Sequence, residues 1–76
     1  MGQVRAPVSL KISTPTITLG EALKWAGIAA TGGQAKLLIR GGRVLVNGAV
    51  ERRRGRQLLV GDCIVVGGQG YRVVAG

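Results

Sequence analysis

Residues 32–48 constrain the fold most, because their apolar pattern changes from a helical period to a strand period within this short segment. Up to Arg40 the apolar side chains recur with the spacing of one buried helix face. Gly41 and Gly42 then supply a helix stop, and alternating valines lead to Asn47 and Gly48, a pair typical of a hairpin turn. The segment therefore predicts a short helix followed directly by a strand and a tight turn.

Two capping boxes predict two short helices in this region of the chain. Thr18 with Glu21, and Thr31 with Gln34, have the pattern in which the two side chains satisfy free backbone N–H groups at a helix start. The first helix is predicted over residues 19–26 and the second over residues 32–40. Helices this close in sequence form a helical hairpin or a helix-turn-helix. The predicted core between them contains Leu19, Leu23, Ile28, Leu38 and Ile39.

Alternation of apolar and polar residues predicts strands on both sides of the helices. Residues 8–12 are expected to form an edge strand, which residues 13–16 interrupt, and residues 44–52 a small hairpin. Glycine-rich turns separate further strands predicted over residues 58–60, 63–66 and 71–74. Turns this short favour antiparallel pairing, since parallel βαβ units need longer crossovers. The predicted fold is α+β, a short helix-turn-helix pair packed on a small twisted antiparallel sheet.

The length and charge of the chain limit its domain count and its partners. Its 76 residues suit a single domain, with an N-terminal edge strand and linker over 1–16, a core over 17–66 and a C-terminal strand over 67–76. Eleven Lys and Arg against three Asp and Glu give a formal charge of +8, which favours a polyanionic partner such as nucleic acid. No run approaches the roughly 20 apolar residues of a membrane span, and residues 1–7 lack the apolar segment of a signal peptide. We therefore expect no membrane partner and a cytoplasmic location.

Catalytic and metal-binding residues are scarce. The chain has no His and a single Cys, which argues against a metal centre, a cofactor held by such ligands and a Ser-His or Cys-His nucleophile pair. Each of the three carboxylates has a structural interpretation: Glu21 as a helix cap, Asp62 in a Gly-Asp turn, and Glu51 paired with arginines at the surface. We predict a protein that is not an enzyme, has no small-molecule substrate and needs no cofactor.

Basic side chains form two groups. Lys36, Arg40 and Arg43 follow one another at i, i+4 and i+7, which predicts a cationic stripe on the second helix and its end. This helix carries no acid, so the repulsion within the stripe is uncompensated unless a partner supplies negative charge. The second group lies on the predicted loop after the hairpin and forms either a flexible basic loop or a phosphate-binding extension of the stripe. It comprises Arg52, Arg53, Arg54 and Arg56.

The motifs, in their order along the chain, resemble those of the S4-like RNA-binding domain. They are LGEALKWAG at residues 19–27, GQAK at 33–36, RVLVNG at 43–48 and GD at 61–62. The resemblance covers about residues 18–66, and the strand in front makes the chain similar to the small stand-alone bacterial members, the YbcJ/YaaA-like subgroup. It implies a helix-helix-strand unit, the alpha-L motif, that presents its second helix and the following loop to structured RNA. Its contact surface would include Lys36, Arg43 and Asn47.

The sequence therefore predicts a non-enzymatic protein, expected to be a monomer, that binds structured RNA of the ribosomal or transfer RNA type. With only two aromatic residues it cannot offer a stacking sheet, which favours folded RNA over single strands. The alternatives are a DNA-binding helix-turn-helix that reads bases through Gln34 or Arg40, and an accessory protein of a ribosome or RNA-modifying complex whose tail, residues 65–76, contacts protein. The predicted RNA-binding residues are Lys24, Gln34, Lys36, Arg40, Arg43, Asn47, Arg52, Arg53, Arg54 and Arg56.

Overall fold

A computed structural model describes residues 6–76 of the chain. Residues 1–5 lie outside the described part of the chain. They belong to residues 1–7, where the sequence predicts no signal peptide. The elements in chain order are β1 (Val8–Ile12), β2 (Thr16–Thr18), α1 (Leu19–Trp25), α2 (Gly32–Arg40), β3 (Val44–Val46), β4 (Ala49–Val50), β5 (Gln57–Leu59), β6 (Cys63–Val66) and β7 (Gln69–Ala75).

The two helices begin at the predicted capping residues. The Thr18 hydroxyl accepts a hydrogen bond from the Glu21 backbone N–H at 3.3 Å, and the Thr31 hydroxyl accepts from Gln34 at 3.1 Å. The Gln34 side-chain oxygen in turn accepts from the Ala30 N–H at 2.8 Å. Helix α2 has the predicted bounds, whereas α1 ends one residue earlier than predicted, at Trp25.

The fold is α+β, as predicted, but its main sheet is mixed. The strand order is β1-β7-β6-β3-β4, which places β1 at the predicted edge position. Every pair in this sheet is antiparallel except β1 with β7, which run parallel. The prediction of a wholly antiparallel sheet is therefore wrong at this pair. Parallel strands need a long crossover, and here both helices and the strands between β1 and β7 supply it.

A second sheet of two strands, which the sequence did not predict, lies beside the start of α1. Strand β2 pairs with β5 in antiparallel register, with Ile17 opposite Leu58. Residues 13–16 were expected to be a simple break, yet Thr16 already belongs to β2. This small sheet connects the start of α1 to the segment after the arginines, because Thr18 is both the last residue of β2 and the cap of α1.

The core fills the space between the helices and the sheets. Leu19, Leu23 and Ile39 are fully buried as predicted, while Ile28 and Leu38 are half-buried at its margin. Cys63 is half-buried. The remaining buried apolar side chains come from every layer: Leu10, Ile12, Ile17, Ala22, Ala29, Ala35, Val44, Val46, Leu58, Ile64 and Val73.

The C-terminal segment belongs to the interior of the main sheet. Strand β7 lies between β1 and β6, and its Val73 is fully buried. Residues 65–76, which one alternative assigned to contact with a partner protein, are therefore largely engaged in strand pairing within the chain.

Candidate nucleic-acid interface

Two grooves meet at Arg54 and Gly55. The first groove is lined by Thr18, Gly20, Glu21, Lys24, Gly32, Arg54 and Gly55. The second groove is lined by Lys36, Arg40, Arg52, Arg53, Arg54 and Gly55. Every lining residue except Gly55 therefore carries a cationic side chain. Because Arg54 and Gly55 belong to both, the grooves form one continuous basic surface between α1, α2 and the segment after β4.

The segment that carries the arginines, residues 51–56, is called the arginine loop below. Its backbone is docked on the start of α1: the Leu19 N–H donates to the Arg56 carbonyl at 2.8 Å and the Gly20 N–H to the Arg54 carbonyl at 3.1 Å. These bonds satisfy N–H groups that would otherwise lack partners in the first turn of a helix. The arginine loop is thus held in place, which argues against the alternative of a flexible basic loop.

Glu51 anchors the arginine loop from within. Only 7 % of its surface is exposed. Arg53 donates through Nε to Oε2 at 3.0 Å and through Nη2 to Oε1 at 3.1 Å, and Arg56 donates through Nη1 to Oε1 at 2.6 Å. The Arg53 backbone N–H adds a bond to Oε2 at 3.1 Å. The sequence predicted the ion pairs at the surface, and the Arg53 side chain is indeed 75 % exposed, whereas the Glu51 side chain is 9 % exposed.

These bonds hold the carboxylate of Glu51 in its charged form. The side chain of Arg53, followed by that of Arg56, lowers the pKa of Glu51 from its ordinary 4.5 to about 2. The same contact raises the pKa of Arg53 above its ordinary value. Two of the four arginines of the loop, Arg53 and Arg56, therefore pair with Glu51, and sequence alone did not distinguish them from the others.

We expect acid to destabilise the fold between about pH 4.5 and about pH 2. A group whose folded-state pKa is lowered binds more protons in the unfolded chain, so its stabilising effect is complete above the unfolded pKa and is lost as pH falls through the folded pKa. Urea unfolding of the parent and Glu51→Gln across this range should show a smaller change in midpoint for the variant. Equal pH dependence in both proteins would contradict the assignment.

Arg52 and Arg54 lie against two glycines. Arg52 donates through Nη1 to the carbonyl of Arg40 at 2.9 Å and so caps the C-terminus of α2. A Cβ at Gly42 would lie 2.9 Å from Arg52 Nη2, and a Cβ at Gly20 would lie 2.8 Å from Arg54 Cγ. Both arginine side chains therefore pass close to backbone that carries no side chain.

Lys36 and Arg40, two members of the stripe predicted on α2, line the second groove. Arg43, the third member, is exposed but is not among the residues that line this groove. It lies beyond the end of α2 at Arg40 and after Gly42, whose φ of +75° departs from the helical conformation. The helical spacing therefore does not extend to Arg43, and its contact with RNA stays a prediction.

Asn47 and Gln34 are engaged in bonds within the protein. Asn47 has φ +50° in the hairpin turn; its Nδ2 donates to Asp62 Oδ1 at 3.1 Å, and its Oδ1 accepts from the Cys63 N–H at 2.9 Å. Gln34 uses its side-chain oxygen in the cap of α2 and lines a shallow apolar depression instead of the two grooves. Lys24, by contrast, lines the first groove. RNA contact by Asn47 and Gln34 remains a prediction that these bonds do not favour.

Asp62 occupies the turn position that the sequence predicted. Its Oδ2 accepts from the Leu59 N–H at 2.9 Å. This bond, followed by the one from Asn47, lowers the pKa of Asp62 below its ordinary value. Asn47 and Asp62 thus join two turns that are distant in sequence.

Sequence reasoning missed Gly20, Gly55 and the burial of Glu51. Gly20 and Gly55 form part of the groove walls, and Glu51 orders the arginine loop. The signal for Glu51 was present, since it is the only acid beside four arginines. Across residues 6–76 no cluster of three His, Cys, Asp or Glu could hold a metal ion. Within the same residues, no helix has the length and apolar character required to cross a membrane.

Comparison with known proteins places these features in a family. Residues 10–74 match the S4 domain. The probable ribosome maturation protein RlbA of Bacillus subtilis is 44 % identical over 66 residues, covering 86 % of this chain and 93 % of RlbA. YbcJ of Escherichia coli is 38 % identical over 61 residues, covering 80 % of this chain and 87 % of YbcJ.

The solution structure of Escherichia coli YbcJ also superimposes on the chain. The TM-score is 0.70 with 30 % sequence identity in the structural alignment, which covers 99 % of this chain and 96 % of YbcJ. That structure is described as revealing an alpha-L motif involved in RNA binding.

Proposed function

Because the chain belongs to the S4 domain family, we propose that it binds structured RNA through the two grooves and catalyses no reaction. The observation that carries the proposal is the continuity of the grooves at Arg54, which places cations from α1, α2 and the arginine loop on one surface. The RNA-binding motif described for YbcJ supports the same partner.

The chemistry of the surface fits a sugar-phosphate backbone. Guanidinium groups form paired hydrogen bonds with phosphate oxygens, and Arg52 is already held by its bond to the carbonyl of Arg40. Side chains that are ordered before binding lose less conformational entropy when RNA binds. The surface therefore suits an RNA whose folded shape presents several phosphates at once.

The proposed RNA is ribosomal or related to transfer RNA. The name of RlbA, a ribosome maturation protein, favours RNA of the ribosome or its precursors, and would place the protein in the cytoplasm. We propose that it binds this RNA as a monomer.

Two further observations support binding without catalysis. The chain has no His, and the carboxylates of Glu51 and Asp62 accept hydrogen bonds from neighbouring protein groups. A group engaged in this way, with its pKa lowered, is a poor general base near neutral pH. Glu21, the remaining acid, is exposed and isolated from any nucleophile pair.

Salt dependence tests the proposed mode of binding. If about five phosphates are neutralised, log K against log salt concentration should have a slope of about −4 for a folded RNA stem-loop. The affinity of a duplex DNA of equal charge, titrated alongside at about 50 and about 200 mM salt, should be several-fold lower than that of the RNA. A slope shallower than about −1, or equal affinity for the two nucleic acids, would contradict the proposal.

A further inference from the structure

Glu51 is the buried acid of a strongly basic protein. It follows β4, and its backbone N–H donates to the Val44 carbonyl at 3.0 Å, so its own position is fixed by β3. No other charged or polar residue among residues 6–76 is buried. A charge removed from water is costly unless it is paired and hydrogen-bonded, and here two guanidinium groups meet it.

The contacts of Glu51 fix the backbone on both sides of Arg54. Arg53 is held through its side chain and its N–H, and Arg56 is held through its guanidinium. Between them, the Arg54 carbonyl accepts from Gly20 and its side chain crosses that glycine, at the junction of the two grooves. The ion pairs of Glu51 and the bond from Gly20 thus act together on the short segment that contains Arg54.

We propose that Glu51 is a positioning residue for RNA binding, which holds Arg54 at the junction of the two grooves by anchoring Arg53 and Arg56. This inference rests on the proposed RNA-binding function. Glu51 is an acid, so its charge alone would repel RNA. By positioning Arg54 it would nevertheless raise the affinity for RNA.

The gain of positive charge and the loss of positioning have opposite expected effects on the affinity of Glu51→Gln for RNA. The substitution raises the formal net charge from +8 to +9, and a stronger positive field attracts a polyanion more strongly. If Glu51 acts by position, the variant binds a folded RNA stem-loop about threefold to tenfold more weakly, and its salt slope is shallower by about one, as for the loss of one phosphate contact.

Ser13→Lys provides the matched control. It adds the same unit of charge, but Ser13 is exposed and lines neither groove. A gain of charge away from the grooves should leave the stem-loop bound at least as tightly as by the parent protein. Far-ultraviolet circular dichroism and thermal unfolding would establish that both variants are folded at the temperature of the titrations.

A double-mutant cycle separates positioning from a general loss of structure. Arg54→Ala should weaken binding in the parent and have little further effect in Glu51→Gln, because Arg54 is already displaced there. Lys36→Ala should have its full effect in both backgrounds, since Lys36 lies on α2 and forms no salt bridge with Glu51. Additive effects of Glu51→Gln and Arg54→Ala would overturn the inference.

Arg53→Lys tests the same inference if Glu51→Gln does not fold. It keeps the charge but removes the two-bond fork on Glu51, so it too should weaken stem-loop binding and reduce the effect of Arg54→Ala. If the parent protein binds RNA and either Arg53→Lys or Glu51→Gln binds it equally or more tightly, the positioning role of Glu51 is overturned. The proposed RNA-binding function is then unaffected. A parent that bound no RNA would instead overturn the proposed function and this inference with it.

Discussion

Lys36→Glu should weaken binding to a folded RNA by about tenfold or more at low salt, which corresponds to roughly 1.4 kcal/mol. Lys36 lies on α2 in the wall of the second groove, where the other lining side chains are all arginines apart from Gly55. The substitution removes a phosphate contact and places a carboxylate where the RNA backbone is expected, so repulsion adds to the lost attraction. Fluorescence anisotropy with a labelled stem-loop measures the effect.

Lys11→Glu provides the control for this charge reversal. Lys11 is exposed on β1, and no residue of β1 lines either groove. Both variants have the same net charge, so they differ only in where the charge is reversed. Similar losses of affinity in the two variants would show that general basicity, not the grooves, determines RNA binding.

Leu23→Ala should destabilise the protein by about 2–5 kcal/mol. Leu23 is fully buried on α1, and the substitution would leave a cavity where the helices pack on the sheet. Proteins of this kind have only about 0.05–0.15 kcal/mol of stability per residue, so this loss is a large share of the total. Urea and thermal unfolding followed by circular dichroism should show a melting temperature lower by about 8 °C or more.

Leu37→Ala is the corresponding control on the surface. Leu37 is 75 % exposed on α2, so its truncation should change stability by no more than about 0.5 kcal/mol. If Leu23→Ala and Leu37→Ala were equally mild, the packing described for α1 would be wrong.

Local sequence signals predicted the helices well. The hydroxyls of Thr18 and Thr31 cap α1 and α2 as expected, since a capping box acts within a few residues. The hairpin turn at Asn47 was equally predictable, because Asn followed by Gly accepts the left-handed backbone conformation that such a turn requires.

Features that depend on distant parts of the chain were not predictable. The parallel pairing of β1 with β7 joins the two ends of the described chain, and no short-range pattern specifies it. The pairing of β2 with β5 also joins segments that are far apart in the chain. Single-sequence patterns report local conformation, whereas these pairings depend on how the complete core closes.

The basic surface was predicted in its composition but not in its geometry. Lys24, Lys36, Arg40, Arg52, Arg53 and Arg54 line the two grooves, whereas Arg43 lies outside the second groove and Arg56 pairs with Glu51. The sequence could not distinguish arginines with an internal partner from those available to RNA. That distinction depends on Glu51, whose carboxylate accepts hydrogen bonds from Arg53 and Arg56.

Mapping the RNA-contact surface by nuclear magnetic resonance tests the central claim most directly. Backbone amide signals of the isotopically labelled protein would be followed during titration with an unlabelled RNA stem-loop. The account predicts the largest shifts at Lys24, Lys36, Arg40, Arg54 and Gly55, with β1 (Val8–Ile12) nearly unchanged. Shifts concentrated on β1 and β7, or the absence of any shift when the RNA is in large excess over the protein, would contradict it.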